Sequence, residues 1–198
     1  MVKKKVVLIK IGGIILVVII AAIIYSLSIR SEFTKYLDTK YPKQSFKVGL
    51  TKNNILYGKY YSDVTCLNDG TYFVISKDKE NISEDYIQYK SVMQYNFKIK
   101  SAFKGRAVQK HIKSVTGSGA IPFKNNASYI QINIDLINGV DQISDAKDVL
   151  KILKEKNIVT NSVIFSYEKD KNYYELWLPS NGYNLTRKQI ESKIIKIR

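Results

Sequence analysis

The sequence predicts an α+β protein: an N-terminal transmembrane helix, then an antiparallel three-stranded meander between helices, then a β-α-β-β-α subdomain. Three observations carry that prediction. An uncharged apolar run extends from Ile11 to Ile29. Stretches in which apolar and polar residues alternate are separated by turn residues, most clearly Asn68-Asp69-Gly70. Between those stretches lie stripes of apolar residues at helical spacing.

The first element is the apolar run. At about 1.5 Å per residue its roughly 19 positions span about 28 Å, close to the hydrocarbon thickness of a bilayer. Lys3, Lys4, Lys5 and Lys10 precede it, while Arg30, Glu32 and Lys35 nearly cancel after it. That asymmetry puts the amino terminus in the cytoplasm and the rest of the chain outside. A cleaved secretory signal shares the basic start, but its apolar core is about 7–15 residues long and ends in small residues. Here the run is longer, and Ala21-Ala22 lie inside it. A lipoprotein signal would need a cysteine at the exit, and the one cysteine is Cys66. The expectation is therefore an uncleaved signal-anchor in the cell membrane.

From Ser31 to Tyr41 the helix is expected to continue, with Phe33, Tyr36, Leu37 and Tyr41 on one stripe and Pro42 ending it. Ser45 to Thr51 alternates Phe46, Val48 and Leu50 as a half-buried strand. Ile55 to Leu67 is a second strand, joined by an Asp-Gly type I′ turn to a third at Thr71 to Ser76. Asn81 and Glu84 resemble a capping box opening a long helix with Ile82, Tyr86, Tyr89, Met93 and Phe97 on its apolar stripe. The Gly- and Ser-rich stretch from Thr116 to Pro122 is the best internal boundary. After it come a strand from Tyr129 to Leu136, a helix capped by Ser144, a hairpin of Ser162 to Tyr167 with Tyr173 to Leu178, and a helix capped by Thr186 with Ile190, Ile194, Ile195 and Ile197 inward. The expected division is a basic tail (1–10), the span (11–29), an α-β-β-β-α region (30–115), a linker (116–126) and a β-α-β-β-α region (127–198).

Composition bounds the function. Roughly 165 residues follow the span, enough for a core without disulfides. An exported domain with one cysteine fits a bacterial envelope better than a eukaryotic secretory route. The chain carries +15; without the four N-terminal lysines, 28 cations face 17 acids, about +11 outside. Such a field favours anionic surroundings such as lipid headgroups, wall polymers or nucleic acid. A membrane-tethered nucleic-acid or anionic-polymer binder therefore stands as the alternative to a non-enzymatic module that contacts an envelope protein or an anionic wall or lipid surface. Only Arg30, Arg106, Arg187 and Arg198 are arginine, which disfavours nucleic acid, since bidentate phosphate and base contacts favour the guanidinium fork. The plainer account of the same composition is a solvated, lysine-coated surface.

Tyr41-Pro42, Phe46-Lys47-Val48, Tyr60-Tyr61, Asp69-Gly70-Thr71-Tyr72-Phe73-Val74-Ile75 and Asp85-Tyr86 together resemble the YfjL-like group of small membrane-anchored or lipoprotein domains of Gram-positive bacteria. The resemblance spans about Ser31 to Tyr89 and implies an envelope protein with no active site to carry over.

No residue pattern specifies chemistry. His111 is read as an exposed helix-end histidine and Cys66 as a small buried hydrophobe. One His and one Cys cannot build a zinc site of the usual composition, and no cofactor is expected. Asp145/Asp148 and Glu84/Asp85 are read as partners of helix dipoles. Ser118 stands between two glycines, but Thr116 and Ala120 occupy the positions that a G-x-S-x-G elbow requires to be glycine, so a Ser/Lys-dependent hydrolase has no support beyond the abundance of lysine. The chain is read as non-enzymatic. Fifteen tyrosines remain, and Tyr57, Tyr60, Tyr61, Tyr173 and Tyr174 are the candidate interaction surface because tyrosine is enriched at interfaces.

Overall fold

The computed structural model describes residues 2–54, 56–119 and 130–197, with side chains from Gly13 onward except Ile14 and Gly119. The fold is α+β, with a long apolar N-terminal helix and two sheets. By compactness the chain divides into residues 1–89 and 90–198. Each unit is built around its own core.

Helix α1 runs Val2–Lys40 without a break. By length and composition it can cross a membrane over Ile15–Lys40. Its side chains from Ile15 to Leu27 are mostly exposed, whereas Ile29, Phe33 and Leu37 are fully buried. Those three recur every four residues, so they share one face. They pack on a sheet of β1 (Phe46–Val48), β2 (Lys52–Asn54), β3 (Lys59–Cys66), β4 (Tyr72–Asp78) and β5 (Asn81–Glu84), all antiparallel. Val48, Val64, Cys66, Phe73, Ile75 and Tyr86 complete that core. Both β1 and β2 pair with β3, but Val48 faces Val64 while Lys52 faces Tyr61. One extra residue therefore lies between them, a bulge that breaks the alternation. It corrects the expected single strand from 45 to 51: Leu50 falls in the bulge and is 75% exposed.

Two further expectations change in this unit. Ile55 lies outside the described residues, and β3 starts only at Lys59 because Leu56, Tyr57 and Gly58 form a turn. Asn81 and Glu84 do not open a helix; they lie in β5, paired to Ile75–Asp78. Between β3 and β4 only Gly70 takes a positive φ, so the turn is a longer loop than the two-residue type I′ form.

Helix α2 (Tyr86–Phe103) buries Tyr86 in the first core and Ile99, Ala102 and Phe103 in the second. The expected stripe is displaced: Tyr89, Met93 and Phe97 are exposed. After a 3₁₀ turn (Ala107–His111), β6 (Ile112–Gly119) replaces the expected helix end and the start of the expected linker; the remainder of that linker, 120–126, is outside the described residues. β6 escapes a periodicity reading because a register shift between Ile112 and Ser114 breaks its alternation and one of its buried positions is a glycine, Gly117. Gly117 is close-packed: a Cβ there would stand 2.4 Å from the Tyr95 ring. The sheet continues with β7 (Ile130–Leu136), β8 (Ser162–Lys169), β9 (Asn172–Pro179) and β10 (Ile194–Lys196), in the order β10-β9-β8-β7-β6. β7 and β8 are parallel, as a crossover through α3 (Gln142–Glu155) requires; the other pairs are antiparallel. Asp141, not Ser144, caps α3, accepting from the Ile143 and Ser144 amides. Thr186 does cap α4 (Arg187–Glu191) through a capping box with Gln189. That helix is only five residues long, however, and of the four isoleucines expected inward Ile190 is buried, while Ile195 and Ile197 are half exposed on and beside the edge strand.

Candidate functional site

The second unit's sheet turns one face to α3 and leaves the other open along β9; on that same open face Ser162 and Ile164 of the central strand β8 are buried. Ile132, Ile134, Val163, Phe165, Leu176 and Leu178 point to α3 and into the core. The intervening residues point the other way, and the register sets them in rows across the strands. Ser118, Gln131, Ser162 and Pro179 form one row; Thr116, Asn133, Ile164 and Trp177 the next; Ser114, Asp135, Ser166, Glu175 and Ile195 a third. Several of these polar groups satisfy one another. Gln131 Nε2 donates to Asn133 Oδ1 at 2.7 Å, Ser114 Oγ donates to Asp135, and the Trp177 indole N–H donates to Glu175 Oε2 at 2.8 Å. Two shallow grooves, of about 430 and about 310 Å³, adjoin this face and share Ser166 and Tyr173. Trp177 and Tyr173 are about half exposed. Side-chain amides, hydroxyls and a planar indole on a rigid sheet are the elements of a recognition surface.

The five tyrosines do not form one surface. Tyr173 lies on the open face, but Tyr174, its neighbour in an alternating strand, turns to the core and stacks on Tyr167 with centroids 5.5 Å apart. In the first unit Tyr60 faces α1, meeting the Tyr25 ring edge-on at 5.4 Å, while Tyr61 faces away with the Lys52 ammonium 5.7 Å from its ring centre. Tyr57 stands 71% exposed at the tip of the β2–β3 hairpin. Trp177 is the residue that sequence reasoning missed; its alternation with Leu176 and Leu178 was the available signal.

His111 ends the 3₁₀ turn, and its Nδ1 lies 2.9 Å from the buried Asp145 carboxylate in the first turn of α3. The pairing was invisible in sequence because the two residues lie on different elements, 34 positions apart. An aspartate so placed orients an imidazole. Acyl-transfer chemistry further needs a hydroxyl or thiol at the other ring nitrogen, and among the described residues none is hydrogen-bonded there. Ser118 is on the open face, where Asn133 Nδ2 approaches its Oγ at 3.5 Å.

No protein-family model, curated protein or solved structure matches this chain.

The first unit has a buried polar knot of its own. The Glu84 carboxylate, 2% exposed, accepts from Lys40 Nζ at 2.6 Å, from Tyr41 Oη at 2.8 Å and from the Tyr86 amide. Burial pushes its acidity down, but the hydrogen bonds from Lys40, the Tyr86 amide and Tyr41 outweigh it and hold Glu84 below the ordinary glutamate range. Burial together with the Glu84 charge pushes the Tyr41 phenol up to about 12. Tyr86 Oη donates to Asp69 at 2.8 Å and lies 3.5 Å from the buried Cys66 sulfur. These contacts tie the end of α1 and the following Tyr41 to β5 and α2, and α2 to Cys66 of β3 and Asp69 of the β3–β4 loop, so the knot is a structural brace. Among the described residues no three His, Cys, Asp or Glu side chains converge as metal ligands.

Proposed function

We propose that this chain is a single-pass membrane protein of the bacterial envelope, with its amino terminus in the cytoplasm and both folded units outside, serving as a non-catalytic binding or accessory module. The observation that carries the reading is the double character of α1. Its residues 15–27 are apolar and exposed, a surface that needs lipid, and one turn later the same helix supplies Ile29, Phe33 and Leu37 to a core. A helix integrated into the fold in this way suits a permanent anchor better than a discarded signal. The four lysines before the span support the orientation.

The partner this reading favours is an envelope protein, met by the open sheet face around Trp177 and Tyr173. Asp135, Glu168 and Glu175 stand on that face with Lys113 at the same groove, so it offers no concentrated positive charge to a polyanion such as nucleic acid or an anionic wall polymer.

Protease added to intact protoplasts tests the topology. Digestion of everything beyond residue 30 is the expected result; protection of the two units would reverse the orientation. For the function, Trp177→Ala should abolish cross-linking to a membrane partner while leaving the protein folded. Loss of no partner on substituting both Trp177 and Tyr173 would remove the open face from consideration.

A further inference from the structure

The first unit carries exposed apolar residues in one place that its own fold does not explain. Leu56 is 91% exposed, Leu50 75% and Tyr57 71%. Singly such residues need no account. These three lie on the segment that runs beside the apolar half of α1.

Three contacts fix that direction. Arg30 Nε donates to the Val48 carbonyl at 3.1 Å. Ser26 Oγ donates to the Thr51 carbonyl at 3.3 Å. The Tyr25 ring meets Tyr60, which is paired opposite Asn53. As the chain advances from 48 to 51 to 53, its neighbours on α1 therefore recede from 30 to 26 to 25, toward the exposed stretch at residues 15–27. Asn54 and Lys59 form the last bridged pair, and the turn is closed by the Tyr57 amide donating to the Asn54 carbonyl at 3.2 Å, with Gly58 at a φ of +60°. From 48 to 53 the strand advances five residues while its neighbours on α1 recede by five, so the strand runs obliquely to the helix and the three residues from 53 to 56 carry the tip roughly 5 Å beyond the level of Tyr25. That is about one turn of α1 nearer its amino terminus.

We propose that the β2–β3 hairpin is a second membrane contact, its tip residues Leu56 and Tyr57 resting in the interfacial layer of the bilayer that α1 crosses. The inference rests on α1 being an uncleaved span. Interfacial elements bury apolar side chains about 5–10 Å into the headgroup and acyl boundary, which matches the reach of the tip. Tyr25, Tyr57 and Tyr60 then form the aromatic belt expected at that height. Lys52 and Lys59 at the hairpin base are already paired with Asp63 and Asp78, so the contact draws on apolar area and is insensitive to salt. Its consequence is orientation: a helix alone leaves a domain free to tilt, and a second contact on one side of it sets which face looks away from the membrane.

The test uses the full chain with Trp177→Phe, which removes the one tryptophan, in vesicles of phosphatidylcholine and phosphatidylglycerol with or without brominated acyl chains. Leu56→Trp reports the tip, Leu16→Trp the span, and Lys43→Trp the far end of the first unit. The expected result is a blue-shifted Leu56→Trp emission, quenched by brominated lipid to an extent approaching that of Leu16→Trp and unchanged by salt, with Lys43→Trp red-shifted and unquenched. If Leu16→Trp is quenched and Leu56→Trp behaves like Lys43→Trp, the hairpin contact is overturned and the anchor stands. If Leu16→Trp is itself unquenched, the anchor reading falls and this one with it. A blue-shifted but unquenched Leu56→Trp means that protein, such as a second copy of the chain, covers the tip, which overturns the assignment to lipid.

Discussion

Asp170 and Lys171 join β8 to β9 with φ values of +52° and +62°, the two positive dihedrals of a type I′ hairpin. Lysine in that region brings its Cβ against the following carbonyl, at a cost of roughly 1–2 kcal/mol that glycine does not bear. Lys171→Gly should therefore stabilise the second unit by about 1 kcal/mol, read as a shift in the urea midpoint with an unchanged slope. Gly117 is the opposite case. Its backbone is ordinary, but the Tyr95 ring occupies the place of a side chain, held there as Tyr95 Oη donates to the Val159 carbonyl at 2.6 Å. Gly117→Ala is expected to destabilise the unit by about 1–3 kcal/mol, the range for overpacking. Combining it with Tyr95→Leu should recover part of that loss; simple additivity of the two would show that the ring is not the obstacle. Two glycines in a Thr-Gly-Ser-Gly run signal flexibility in a sequence, yet one of them answers to a tyrosine more than twenty residues away.

The elements of the first unit are braced by charge as well as by packing. Glu84 lies below its ordinary range in the folded state, so its contribution is present above the unfolded glutamate value of about 4.3 and is lost as pH falls through the lower folded one. Tyr41 is the mirror case: raised to about 12, it contributes fully below about 10 and its contribution disappears as pH climbs toward 12. Melting curves of the full chain in detergent should fall off at both ends. Glu84→Gln, by weakening charge-assisted bonds to Lys40 and Tyr41, should cost on the order of 2 kcal/mol at neutral pH and flatten the acid limb. An acid limb as steep in the variant as in the parent would assign that transition to other carboxylates. The sequence points to Glu84 as a helix-capping group; in the fold it caps α2 from a strand, because pairing with Ile75 places β5 against the end of α1.

For the whole molecule, the proposed anchor makes membrane insertion and folding share one helix but use different parts of it. Leu37→Ala removes a fully buried side chain and should cost about 2–5 kcal/mol, unfolding or loosening the first unit, while the protein still resists carbonate extraction from membranes. Ile20→Lys should have the reverse effect, impairing insertion with little change to the soluble core. A single lesion that abolished both would mean that the two halves of α1 are not separable. The hairpin tip adds a third function to the same region, if lipid is what covers Leu56.

The apolar helix, the α+β class, the Phe33–Leu37 stripe, the β8–β9 hairpin and the Thr186 cap were determined by the sequence itself, because each is set by residues within a turn or a strand of one another. The tertiary structure decided the rest. It decided that β6 is a strand, with a glycine at the inward position 117 where the Tyr95 ring packs. It decided that Leu50 faces out, through a bulge that exists only against β3. It decided that His111 meets Asp145, that Tyr173 and Tyr174 part to opposite faces, and that Trp177 stands half exposed beside the buried Ile164. Local patterns record which residues must leave water. Which partners they leave it with depends on contacts between distant segments, and no spacing along the chain encodes those.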